Sequence, residues 1–245
     1  MKKPPKDPGE IYSELTADIL AVLGTDALSV CVFGSAVTGD YRPGISDINL
    51  LIVTQPTATM VASRLMSVVE RWRPARVGVP VVFAEGQLAA SADVFPIEIM
   101  TMAAAHQVLH GSDPFEGIEI SMPNLRLQLE RELRAKRLAI ASRLMASGGR
   151  MVPLKALVAQ ATVAMVALMQ AWLKLATGSF PLRRREVMEE VAATGLEVGA
   201  FRALERVKAG ELRPSEKELV NLLEKAITEL EMMIRRVDSL SVKDS

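Results

Sequence analysis

The chain has 245 residues, 49% of them apolar and 24% charged, which suits one large or two small globular domains and excludes wholesale disorder and collagen-like repeats. Lys+Arg and Asp+Glu both number 29, so no global field steers the chain toward polyanions. A single cysteine, Cys31, excludes an internal disulfide framework and a Cys-rich zinc site, and two histidines argue against a His-built metal centre.

Lys2, Lys3 and Lys6 make the start basic, but Asp7, Pro8 and Glu10 follow where a secretory leader would be apolar. A reduced, cytoplasmic compartment is therefore expected. Ile11, Leu15, Ile19 and Val22 form a helical stripe that Gly24 stops. Leu28 to Phe33 and Ile48 to Val53 are short β-rich runs and read as strands. Between Thr57 and Trp72 the apolar spacing is helical again. Val77 to Phe83 reads as a third strand, at an edge or irregular because of Pro80. Val94 to Met100 reads as a fourth.

The chain changes character near residue 115. Up to Phe115 it carries 8 basic and 12 acidic residues; beyond it, 21 basic and 17 acidic. The second part reads as helical throughout. Asn124 is expected to cap a helix from Leu125 to about Ala146, which Gly148-Gly149 breaks. A helix from Pro153 to Thr177 follows, then shorter ones over Arg184 to Ala193 and Val198 to Lys208. Ser215 and Glu218 have capping-box spacing at the start of a last helix. The run Val152 to Ala176 is long enough to span a membrane, but Lys155, Gln160, Gln170 and Lys174 interrupt it. It is read as a buried bundle helix. The fold class predicted is α+β: a small mixed sheet with helices over residues 1–118, then an all-α bundle over 119–245.

One segment carries chemistry. A strand runs into Gly34-Ser35, where glycine permits close backbone approach to a ligand and Ser35 can donate to a phosphate. The next strand opens with Asp47-Ile48-Asn49. Its period of two puts Asp47 and Asn49 on one face and Ile48 on the other. Glu98 repeats the anomaly, as an acid inside the apolar run Phe95 to Met100. Glu98 on a strand beside Asp47 would build an oxygen-rich cage for Mg²⁺.

Gly34-Ser35, Gly39 and Ser46-Asp47-Ile48-Asn49, with Glu98 on a later strand, resemble the signature of the polymerase-β-like nucleotidyltransferase superfamily. Leu109 to Pro114 and Leu125 to Glu130 resemble its bacterial branch, which includes aminoglycoside adenylyltransferases. The resemblance implies Mg²⁺ ions held by Asp47, the residue at 49 and Glu98, with Gly34 and Ser35 on the phosphates of an NTP. It implies attack by a hydroxyl of a small molecule or protein on the α-phosphorus, with loss of pyrophosphate. Asn49 departs from the pattern, which has a second Asp there. An amide oxygen keeps the shape but lacks the charge, which weakens a metal site. The implied function is weak, Mg-dependent nucleotidyl transfer. The alternative is an inactive nucleotide-binding or regulatory module, or a toxin–antitoxin component, acting through its helices.

Other features have plainer readings. His106 and His110 are four apart but have no third ligand nearby. Arg183-Arg184-Arg185 reads as a solvated helix start without interleaved aromatics, so nucleic acid is not an expected partner. Glu130-Arg131-Glu132 and Arg134-Lys136-Arg137 suit either a substrate-gripping or an exposed helix face. A homodimer or a protein partner is left open, and no membrane is expected.

Overall fold

The computed structural model describes residues 2–240. The chain divides into two compact units, Met1–Asp93 with Glu98–Ile120, and Val94–Ile97 with Ser121–Ser245.

The first unit is built on a four-stranded mixed sheet of β1 (Ala27–Phe33), β2 (Asn49–Thr54), β3 (Val81–Ala84) and β4 (His106–Gly111), in the order β3-β2-β1-β4. β1 is antiparallel to both β2 and β4, and β2 is parallel to β3. The helices are α1 (Tyr12–Leu23), α2 (Ser35–Thr38), α3 (Val61–Trp72), α4 (Gln87–Ala90) and α5 (Pro96–Ala104). Strand alternation supplies two apolar faces. One packs Val30, Val32, Ile48, Leu50 and Ile52 against Leu15 and Ile19 of α1 and Leu65 and Trp72 of α3. The other packs Cys31 and Leu51 against Leu88, Ile99, Met102 and Phe115. Burial in this second layer pushes the Cys31 thiol pKa up, against a hydrogen bond with Ser29 that lowers it. Trp72 Nε1 donates to Asp18 Oδ2 at 2.7 Å, and Arg71 reaches Asp18 and Glu14, so polar contacts also join α1 to α3.

The expected strand over Val94 to Met100 is not there. Pro96 opens a helix instead, suited to a first turn where its missing N–H costs nothing. Ile99 and Met102, three apart, bury on one helical face while Glu98 is exposed. Alternating apolar residues over so short a run fit either element, and packing decided it. The fourth strand is instead His106–Gly111, too polar to stand out by hydropathy.

The second unit is helical throughout among the described residues: α6 (Met122–Ser147), α7 (Met151–Thr162), α8 (Met165–Thr177), α9 (Arg184–Ala193), α10 (Gly199–Lys208) and α11 (Glu216–Asp238). α6 starts earlier than expected, because Ser121 rather than Asn124 is the cap: its hydroxyl accepts the Asn124 N–H. The capping box of Ser215 and Glu218 is present on α11. The single helix expected from Pro153 to Thr177 is two. Val163 is extended and Ala164 turns left-handed at φ +60°. Lys136 Nζ donates to the freed Val163 carbonyl at 2.6 Å, and burial pulls the lysine pKa down. By length and composition Met151–Thr177 could cross a membrane. Here Leu168, Met169, Ala171, Trp172 and Leu173 of α8 are buried in the bundle.

Candidate functional site

The sheet brings the sequence motif together at one end of β1 and β2. Phe33 pairs with Asn49 across the two strands, so the Gly34 turn lies next to Asn49. Gly34 has φ +75° and its N–H donates to Ala105 O at 2.9 Å, which ties the turn to the start of β4. A Cβ on Gly34 would sit 3.3 Å from Asn49 Nδ2. Positive φ and this close approach together make glycine the residue for the turn. Ser35 then opens the single turn α2, which Gly39 closes at φ +83°.

Asp47 and Asn49 flank Ile48, which is fully buried. Ile48 forms an isolated parallel bridge with Val77: its N–H donates to Arg76 O, and Gly78 N–H donates to Ile48 O, both at 2.9 Å. Paired residues share a sheet face, and Ile48 and Val77 both enter the core. Arg76 and Gly78 are therefore on the face of Asp47 and Asn49. Arg76 Nη2 lies 2.8 Å from Asp47 Oδ1 and also donates to Ile45 O at 2.7 Å, while its Nε donates to Ser46 O at 3.3 Å. A Cβ on Gly78 would meet Asn49 Oδ1 at 3.6 Å. The segment beside β2 thus presents a guanidinium next to Asp47 and no side chain next to Asn49.

Arg76 was not legible as a site residue. Its signal was positional: it immediately precedes the run read as a third strand. It also has φ +60°, a left-handed conformation unusual for a residue with a Cβ. Tyr41 belongs to the same neighbourhood. Its hydroxyl donates to Pro5 O, and its pKa is raised, first by burial and then by Asp47 and Glu10, with Arg76 opposing.

Glu98 sits in the first turn of α5 and is exposed, so it is not a strand neighbour of Asp47. Among the described residues, no three His, Cys, Asp or Glu side chains gather as a metal group. The donors on this face are one carboxylate paired with a guanidinium and one neutral amide. That set does not fit a cage for two Mg²⁺ ions, which needs converging anionic oxygens.

The remaining polar motifs are structural. His106 Nδ1 faces Ala103 O at 2.8 Å, its Nε2 lies 3.2 Å from Asp113 Oδ1, and its ring stacks tilted on Phe115. Arg134 pairs with Glu130 and Asp238, and Arg137 with Glu231, so these cations join α6 to α11. Arg183, Arg184 and Arg185 pair with Glu186, Glu205 and Glu189.

Comparison with known proteins bears on the fold and the general class of chemistry. Residues 17–79 match the model of the nucleotidyltransferase domain, a span that contains Gly34, Ser35, Asp47, Asn49 and Arg76. No curated protein matches the sequence. Among solved structures, the chain is similar in fold to spectinomycin adenyltransferase AAD(9) from Enterococcus faecialis, whose crystal structure holds ATP and spectinomycin. The TM-score is 0.54 at 13% identity, over 91% of this chain and 99% of that one. The domain match supports nucleotidyl transfer as the general class of chemistry. The chain thus carries a match to the nucleotidyltransferase domain over residues 17–79 and resembles an aminoglycoside adenylyltransferase in fold.

Proposed function

We propose that this chain binds a nucleoside triphosphate at the Gly34-Ser35 turn and Asp47. We further propose that it transfers the nucleoside monophosphate to a hydroxyl of a small molecule or protein only weakly. The observation that carries the reading is the Gly34 turn at the end of β1 packed on Asn49, the first residue of β2, which Asp47 closely precedes. The turn supplies close backbone approach, and the Ser35 hydroxyl can donate to a phosphate oxygen. Asp47 is 58% exposed, so a ligand can reach it. ATP and spectinomycin are the companions of the similar adenyltransferase structure. That makes a small acceptor the first class to assay here.

Weak transfer follows from the charge inventory. A carboxylate count of one, partly neutralised by Arg76, leaves little to assemble divalent cations around a triphosphate. Losing a preorganised charge at such a centre costs on the order of several kcal/mol of transition-state stabilisation. A second reading, a non-catalytic nucleotide-responsive module, is favoured by the same Asp47–Arg76 pair.

The test measures binding of each NTP by calorimetry alongside pyrophosphate release and self-labelling, for the wild type and Asn49→Asp. We expect nucleotide binding with release near background. Asn49→Asp should tighten divalent-cation binding by restoring one charge at nearly constant shape, while release stays near background because Arg76 remains on Asp47. Wild-type release well above background would overturn the weak-transfer reading. A rise of about tenfold or more in Asn49→Asp, roughly 1.4 kcal/mol of barrier, would place the defect at Asn49 rather than at Arg76.

A further inference from the structure

The position of Arg76 allows a sharper statement about how this site handles charge. The Ile48–Val77 bridge fixes Arg76 on the face of Asp47 and Asn49, and three of its contacts lie there: Asp47 Oδ1, Ile45 O and Ser46 O. Both partners of the ion pair are accessible, with side-chain exposures of 38% and 58%. The residue also occupies a left-handed backbone conformation at φ +60°, where glycine is the unstrained choice. It is the left-handed end of the 3₁₀ turn Arg73–Ala75, and the two carbonyl contacts hold its side chain beside Asp47.

We propose that the Arg76 guanidinium is the resident cation of this site: it stands in for a divalent metal beside Asp47, so nucleotide phosphates bind here without one. The inference rests on the nucleotide-binding reading above. A planar, permanently charged fork suits phosphate oxygens, and it cannot be lost by chelation. It also explains why a neutral Asn49 and a side-chain-free Gly78 are tolerated around Asp47. With a fixed cation in place, further anionic ligands are not needed to recruit one. A metal entering the site would have to displace Arg76 from Asp47 and would meet cationic repulsion.

The experiment uses Arg76→Gly, because glycine relieves the left-handed strain and keeps the turn foldable; thermal unfolding checks this. Calorimetric titration of ATP compares buffer containing Mg²⁺ with buffer containing EDTA. Wild-type affinity should be the same within about twofold in both, and Arg76→Gly should weaken binding in EDTA by about tenfold or more, the usual scale for losing a charged hydrogen-bond partner. Metal-dependent binding by the wild type, or unchanged binding by Arg76→Gly, overturns the proposal. A second arm needs no nucleotide. Mn²⁺ binding, read by electron paramagnetic resonance, should be about tenfold or more tighter in Asn49→Asp/Arg76→Gly than in Asn49→Asp alone, since charge count tunes such sites. Equal Mn²⁺ affinity in the two proteins overturns the proposal even if ATP binds. If neither the wild type nor Arg76→Gly binds ATP, the nucleotide-binding reading fails, and the Mn²⁺ arm still decides whether Arg76 displaces a metal.

Discussion

Gly111→Ala is expected to destabilise the sheet unit by about 3 kcal/mol or more, the sum of a left-handed Cβ penalty and a steric clash. Gly111 ends β4 at φ +78°, opposite Ser29 of β1. A Cβ there would lie 1.8 Å from the Leu28 carbonyl oxygen and 2.9 Å from its carbon. Neither obstacle is a side chain that can rotate away, so the strands must part. β4 carries Ala105 at its entrance, the acceptor for Gly34 N–H, so loosening it should also disturb the turn. Each unit has one tryptophan, Trp72 in the sheet unit and Trp172 in the helical one. A Trp172→Phe background therefore lets fluorescence follow Trp72 alone during urea unfolding. An unchanged midpoint would show that the strand pair is not held as described.

The largest effect in the helical unit is expected at Glu229. This buried carboxylate accepts the backbone N–H groups of Ala200 at 2.7 Å and Phe201 at 3.2 Å, two of the donors that open α10. Glu229→Ala strands both amides in a buried place. At about 1–3 kcal/mol for each orphaned group, the loss should be about 2–6 kcal/mol. Ala200 and Phe201 donate to different carboxylate oxygens, so Glu229→Gln keeps one acceptor, strands one amide and should cost about 1–3 kcal/mol. A pH dependence accompanies this. Burial is the main cause that raises the Glu229 pKa, against the amide hydrogen bonds that lower it. The folded state then binds the proton more firmly than the unfolded chain. Glu229 therefore favours folding at low pH, and that contribution is lost as pH rises from the ordinary carboxylate range through the raised value. Thermal unfolding, followed by Trp172 fluorescence across that range, should show the decline in the wild type and not in Glu229→Gln. A parallel pair of profiles would contradict it.

Much of the fold was legible because its signals were local. The α1 stripe ending at Gly24, the two apolar strands and the Ser215–Glu218 box each depend on neighbours in sequence. The misses share a cause: tertiary context. Phe95 to Met100 has an apolar pattern compatible with strand or helix, and the packing of Ile99 and Met102 on the sheet chose helix. The break at Val163 is served by Lys136 from another helix, a contact no local pattern announces. The site divides the same way. Gly34, Ser35, Asp47 and Asn49 were readable because a polar pair on an apolar strand and a strand-ending glycine are local anomalies. Arg76 was not, because its role comes from a parallel bridge to Ile48, 29 positions away in register with Val77.

The central claim is that the Gly34 turn and the Asp47 face form the nucleotide site. Chemical-shift mapping by NMR tests it most directly, with ATP titrated into isotope-labelled protein. The account predicts shifts concentrated at the amides of Gly34, Ser35, Asp47 and Gly78, the Asn49 side-chain amide and Arg76 Nε. Shifts confined to the groove of Arg134, Arg137, Glu231 and Asp238 on α6 and α11, or no shifts at all, would contradict it.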